Sequence, residues 1–155
     1  MFVFFIFLWK KRRPRIQSEK NYCYNKSLMK YINKSFSIES VKVEKLAKKF
    51  GTPIYCYSYK KLKNNIISFK KNFISFNPLV CFAIKSNSNL YLLKEVKKLG
   101  CGADVVSMGE LLKALKAGIS PKKIVFSGVG KTSNEISYAI DKNILLINAE
   151  SKSEI

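Results

Sequence analysis

Three residues in this chain stand where their types could do chemistry. Lys85 ends the apolar run Leu79-Val80-Cys81-Phe82-Ala83-Ile84, so its amine leaves a hydrophobic segment without travelling far from it. Partial desolvation disfavours an ammonium, and a neutral amine is what attacks a carbonyl to form a Schiff base. A lysine at a strand end is also a common surface residue whose stem covers apolar area, and spacing alone does not separate the two readings. Asp104 stands inside a second run, Ala103-Asp104-Val105-Val106, where a carboxylate is costly to bury without a cation or hydrogen-bond donors. Its alternative is a solvent-facing place at the strand start. Glu110 completes Ser107-x-x-Glu110, a helix capping box that already gives it a structural task.

What is missing narrows the chemistry further. The chain has no histidine, which removes the Ser-His-Asp and Cys-His arrangements and every His-based metal site; no metal is expected. Catalysis must run on Lys, Asp, Glu, Cys, Tyr or a cofactor. Ser127-Gly128-Val129-Gly130-Lys131-Thr132 is Gly-rich and ends in Lys-Thr, but Val125 stands where the first glycine of G-x-x-x-x-G-K-[ST] belongs. A nucleotide reading is therefore poor.

The elements that must position these residues repeat one unit. From Gly51, short apolar runs at 53–57, 79–84, 103–106, 124–126 and 144–147 alternate with amphipathic stretches, the pattern of β-α-β units with a parallel sheet. Leu62, Ile66, Phe69 and Phe73 put one stripe on the first helix; Leu92, Val96 and Leu99, then Leu111, Leu112 and Leu115, then Ile136 and Ile140 predict the later ones. Ser107-x-x-Glu110, Thr132-x-x-Glu135 and Ser151-x-x-Glu154 read as three capping boxes, and Gly100 and Gly118 as helix C-terminal caps. Phe82, Val105, Val125 and Ile147 step by 23, 20 and 22 residues, close to the unit of an eight-fold β/α barrel of about 250 residues. The predicted fold class is thus α/β, a partial (β/α)8 barrel of four to five units. Upstream, residues 30–38 are a weak strand candidate, and Val43, Leu46 and Phe50 mark a short helix.

Residues 1–28 do not belong to that pattern. The apolar run 2–9 is too short to span a bilayer, and the basic cluster Lys10-Lys11-Arg12-Arg13-Pro14-Arg15 follows it, whereas a signal peptide carries its charge first. A membrane-surface anchor is one reading. Because Met29 opens a second plausible start, the preferred one is an upstream stretch included by a misplaced initiation codon. The expected organisation is an extension over 1–28, a strand and helix over 29–50, and barrel over 51–155.

The 155 residues are one domain's worth, and 47% hydrophobic content excludes a disordered chain. Lys and Arg number 29 against 10 Asp and Glu, a net +19. Only Arg12, Arg13 and Arg15 are arginines; the remaining 26 are scattered lysines, which suits a solvated surface better than nucleic-acid recognition. Neither nucleic acid nor membrane is an expected partner. Cys23, Cys56, Cys81 and Cys101 form no C-x-x-C pair; Cys56 and Cys81 read as packing residues, and a reduced, cytoplasmic setting fits.

Taken together, FGTPIYCYS, CFAIKSNSN, LGCGADVVSMGELLKALKAG, KIVFSGVGKT and INAES resemble, in order and spacing, the fold-type III pyridoxal-phosphate decarboxylases, and within them the diaminopimelate decarboxylases. Alanine racemases share the barrel and the early lysine but not the second and third tracts. The resemblance implies that Lys85 holds pyridoxal 5'-phosphate as an internal aldimine, with Asp104 and Glu110 beside the cofactor. It implies conversion of meso-diaminopimelate to L-lysine, a second β-rich domain and a homodimer. It also implies a cofactor-stacking histidine, a Gly-rich phosphate loop, an acidic partner for the pyridine nitrogen, a substrate-binding arginine and a cysteine-bearing segment, none of which the sequence supplies. The expectation is an N-terminal part of the enzyme, inactive alone, with an exposed sheet edge. The rival readings are decarboxylation of another basic amino acid (ornithine, arginine or carboxynorspermidine type) and a non-catalytic binding module.

Overall fold

The structure is a computed structural model that describes residues 4–7, by backbone alone, 28–32 and 34–155. The basic cluster at 10–15 and Cys23 lie outside the described residues. Two compact units are present, one formed by Met1–Lys11 with Asn72–Ile155 and the other by Arg12–Lys71.

The larger unit is a five-stranded sheet. Strand β1 (Phe4–Phe7) enters it from the start of the chain. In the smaller unit, β2 (Met29–Ile32), β3 (Ser35–Ile38) and β4 (Val41–Lys42) form an antiparallel sheet, followed by α1 (Val43–Phe50) and α2 (Tyr59–Asn72). The larger unit continues with β5 (Leu79–Ala83), α3 (Leu90–Lys98), β6 (Gly102–Val105), α4 (Met108–Lys116), β7 (Ile124–Phe126), α5 (Ser133–Asp141) and β8 (Leu146–Ile147). Its order is β1-β5-β6-β7-β8; β5 to β8 are parallel and β1 lies antiparallel on the edge of β5. Four parallel strands joined by three helices are the repeating unit of a β/α barrel. Because βαβ crossovers are right-handed, consecutive ones along one direction of a sheet put their helices on one face of the layer.

Register sorts the side chains into two sets. Phe82, Ala103 and Ile124 are neighbours across β5, β6 and β7, as are Val105 and Phe126, and all five are completely buried. Large side chains on this face suit the apolar stripes of the crossover helices. The opposite face carries Cys81, Ala83, Asp104 and Val125.

Several sequence expectations need correction. Residues 53–57 join no ladder, although Ile54 and Cys56 are half-buried and Tyr55 and Tyr57 exposed, as in a strand; the edge of β5 away from β6 is taken by β1. Residues 30–38 form a hairpin, β2 with β3, and not one strand. Val96 and Leu111 are buried as expected, but the stripes of α4 and α5 also turn on small residues that hydrophobic counting passes over. Leu93, Glu95 and Val96 are the buried positions of α3, Leu111 and Ala114 those of α4, and Ala139 that of α5, while Leu112 and Ile140 are exposed. Only Thr132 and Glu135 form a complete capping box. Ser107 caps α4 by accepting from the Glu110 N–H, but Glu110 reaches past it to the Val106 N–H; Ser151 makes no cap bond. Gly100 and Gly118 do follow helix ends, at φ of 74° and 81°. No helix among the described residues is long and apolar enough to cross a membrane.

Gly102 sets how closely β6 approaches its surroundings. An added Cβ would stand 2.1 Å from the Lys123 carbonyl oxygen and 2.9 Å from the Cys81 Sγ, and backbone cannot move aside cheaply. Gly102→Ala is expected to destabilise the chain by about 3 kcal/mol, read as a lower urea midpoint; an unchanged midpoint would refute this packing.

Candidate active site

The carboxyl ends of β5 to β8 are where a parallel α/β layer presents its chemistry. After β5 the chain enters a single 3-10 turn, Ile84–Ser86, containing Lys85. Ser86 Oγ donates to the Ala83 carbonyl (2.7 Å) and the Asn87 N–H to the Ile84 carbonyl (2.9 Å). Asn87 Oδ1 accepts from the Asn89 N–H, and Asn89 Oδ1 caps α3 through the Tyr91 and Leu92 N–H groups. The small polar residues after Lys85 thus hold their own backbone, since Asn and Ser side chains satisfy turn and helix-start amides. Lys85 itself is exposed and makes no hydrogen bond or ion pair among the described residues.

Asp104 lies in the middle of the layer, level with Ala83 on β5 and Val125 on β7. It is 1% exposed, and neither carboxylate oxygen closes a hydrogen bond. Burial pushes its carboxyl above the usual carboxylate range, while the neighbouring Ser127 hydroxyl and then the Lys85 ammonium oppose that rise. The structure therefore brings Lys85 and Asp104 to one place and puts Asp104 indoors, not at the solvent-facing strand start left open as its alternative. On the same face, Cys81 is buried and its thiol is pushed up to about 12, chiefly by burial and then by Asp104; it packs and does not react at neutral pH.

Glu110 is half-buried, its Oε2 accepting from the Val106 N–H at 2.9 Å, which ties the end of β6 to the first turn of α4. Glu135 does similar work between elements: it closes the box with Thr132 and also accepts from the Met108 N–H at 2.9 Å. Those amide donors hold its carboxyl below the usual range.

Two features were not legible as site elements. Ser127 and Asn148, which follow β7 and β8, are joined by a 2.9 Å hydrogen bond from Asn148 Nδ2 to Ser127 Oγ. Counting two residues past Val125 and Leu146 would have put both on the face of Asp104. Lys131, the lysine of the Gly-rich tract, is buried; its Nζ donates to the Gly128 carbonyl and to Glu154 Oε1 (2.8 Å). Lys131 is thus engaged within the fold and not turned toward an open loop. The cavity of about 620 Å³ lies in the Arg12–Lys71 unit, lined by Phe50, Ile54, Tyr57 and Tyr59 among others. Its carboxylate, Glu39, is taken up by the Ser58 hydroxyl and the Lys60 N–H.

Residues 59–155 match a family model described as the pyridoxal binding domain of pyridoxal-dependent decarboxylases. The chain is 45% identical over 127 residues to a diaminopimelate decarboxylase of Aquifex aeolicus, covering 82% of this chain and 30% of the relative. It is 48% identical over 112 residues to one of Helicobacter pylori, covering 72% and 28%. A crystal structure of diaminopimelate decarboxylase from Helicobacter pylori complexed with L-lysine superposes with a TM-score of 0.70 at 46% identity, covering 73% of this chain and 29% of that one. The chain thus spans about 30% of the length of the curated relatives it matches.

Burial that raises a carboxyl's pKa weakens the folded state once pH exceeds the unfolded value, because ionisation is then harder in the fold than out of it. Asp104→Asn removes that charge at constant size. At neutral pH it is expected to raise stability by about 1 kcal/mol, and the gain should fade as pH falls through the folded-state pKa of Asp104, where the wild-type carboxyl is neutral too. Urea titrations at several pH values test this; a destabilised variant, or a gain that grows at low pH, would contradict it.

Proposed function

The chain belongs to the pyridoxal-dependent decarboxylases, residues 59–155 lying in their pyridoxal-binding domain, and from that premise we propose that it forms part of a diaminopimelate decarboxylase. The reaction is decarboxylation of meso-diaminopimelate to L-lysine with pyridoxal 5'-phosphate. The observation that carries the reading is the pairing of an exposed Lys85, at the carboxyl end of β5, with a buried Asp104 on the next strand. The substrate rests on 45% and 48% identity to relatives named for that decarboxylation and on a lysine complex of a similar structure.

The residues present fit the cofactor. An amine with no hydrogen-bond or ion-pair partner among the described residues can carry an aldehyde, and a buried carboxylate that closes no hydrogen bond stands beside it. When bound, the pyridinium ring supplies an electron sink for the charge left as carbon dioxide departs. Lys85 is the residue that carries the cofactor. Asp104 places a buried carboxylate near Lys85, where the two charges attract. Glu110 anchors the turn after β6, so that Asp104 and the start of α4 hold their spacing. We assign the whole enzyme as a homodimer with an amino-acid substrate, following the family resemblance of the five sequence tracts, and as cytoplasmic, a setting favoured by free thiols at Cys56, Cys81 and Cys101.

Borohydride reduction in the presence of pyridoxal phosphate, followed by peptide mapping, tests the cofactor assignment. Lys85 is expected to take most of the label, and Lys85→Arg to lose it. Label spread evenly over the lysines would sink the reading.

A further inference from the structure

We propose that Ser127 and Asn148 are positioning residues which orient one hydroxyl hydrogen onto Asp104 and so hold its carboxylate against Lys85. The inference rests on reading Lys85 as the cofactor lysine. Its geometry starts in the backbone. The Ser127 N–H continues the β6–β7 ladder by donating to the Val105 carbonyl at 2.9 Å, and the Asn148 N–H continues the β7–β8 ladder to the Phe126 carbonyl at 2.9 Å. Both residues are pinned just past their strands, on the face that carries Asp104 and Val125.

The side chains then leave little choice. A serine hydroxyl has one hydrogen to give and lone pairs to accept with. Asn148 Nδ2 donates to Ser127 Oγ at 2.9 Å, so the Asn148 amide hydrogen cannot share the direction of the Ser127 hydrogen. That hydrogen is left for another acceptor, and Asp104 is the orphaned buried acceptor beside it. Among the described residues, the titratable groups facing Asp104 are Lys85 and Cys81, both from β5 and its turn. Cys81 is neutral at ordinary pH, so from β7 the Ser127 hydroxyl is the group that opposes the cost of burial.

The chain holds two aspartates, Asp104 and the exposed Asp141, which makes a direct measurement simple. In the full chain labelled with carboxyl-13C aspartate, the Asp104 signal is one of only two to be followed with pH. Ser127→Ala is expected to move the Asp104 midpoint upward by about one unit, the size of one hydrogen bond to a charged group. Asn148→Ala should move it the same way by less, the double variant no further than Ser127→Ala alone, and Ser127→Thr should restore the wild-type midpoint. An unmoved midpoint in Ser127→Ala, or a shift from Asn148→Ala that persists without Ser127, would overturn the proposal. Borohydride labelling on the same samples separates the two readings. Unlabelled Lys85 with shifting midpoints sinks the cofactor assignment alone, and labelled Lys85 with fixed midpoints sinks only the positioning pair.

Discussion

A carboxylate in the middle of a parallel layer is the constraint on which this site depends. Asp104 is 1% exposed and closes no hydrogen bond, and an unsatisfied buried polar group costs about 1–3 kcal/mol, more when charged. The other face of the same strands offsets that cost. Phe82, Val105, Ile124 and Phe126 are completely buried, and each such side chain contributes about 1.5–3 kcal/mol on leaving water. The sheet can therefore carry one strained carboxylate. Stored strain of this kind is the usual companion of function, because a group that is uncomfortable in the resting fold is one that gains from a cationic neighbour.

Around that carboxylate, the polar residues are mostly occupied with holding backbone. Ser86, Asn87 and Asn89 satisfy the turn after Lys85 and the start of α3. Glu110 and Glu135 bind amides at the ends of β6 and the start of α4. Lys131 and Glu154 join the segments that follow β7 and β8, Glu154 also accepting from the Glu150 N–H. Rigid loops at the carboxyl ends of strands matter because a reactive amine displaced by even an ångström loses its alignment. Lys85 makes no hydrogen bond or ion pair among the described residues, on a turn whose neighbours are engaged.

Much of this was legible in the residues. Hydrophobic runs of β length, separated by one-faced stretches and punctuated by Gly100 and Gly118, announced a parallel α/β repeat, because burial on both faces and helix termination leave strong local marks. Lys85 could be noticed as the lysine that closes an apolar run, but spacing alone did not separate it from a surface lysine; the family resemblance of the surrounding tracts did. Other features were not. The stripes of α4 and α5 turned on Ala114 and Ala139, which count for little in a hydrophobic pattern but allow a helix to approach a sheet. Residues 53–57 had the alternation of a strand and no ladder, since alternation reports a half-buried extended chain whether or not a neighbour pairs with it. Glu154 matched a capping box and was drawn instead to Lys131, a partner 23 residues away.

The sequence by itself determined which segments alternate, where the helices begin and end, and that an amine follows the first long apolar run, because each of these depends on groups a few residues apart. Only the tertiary structure decided that Asp104 is buried, that Lys85 and Ser127 flank it, and that Lys131 is spent on Glu154. Those facts follow from the register of parallel strands, which brings together residues some twenty positions distant, and register is a property of the whole layer that no short stretch of chain carries.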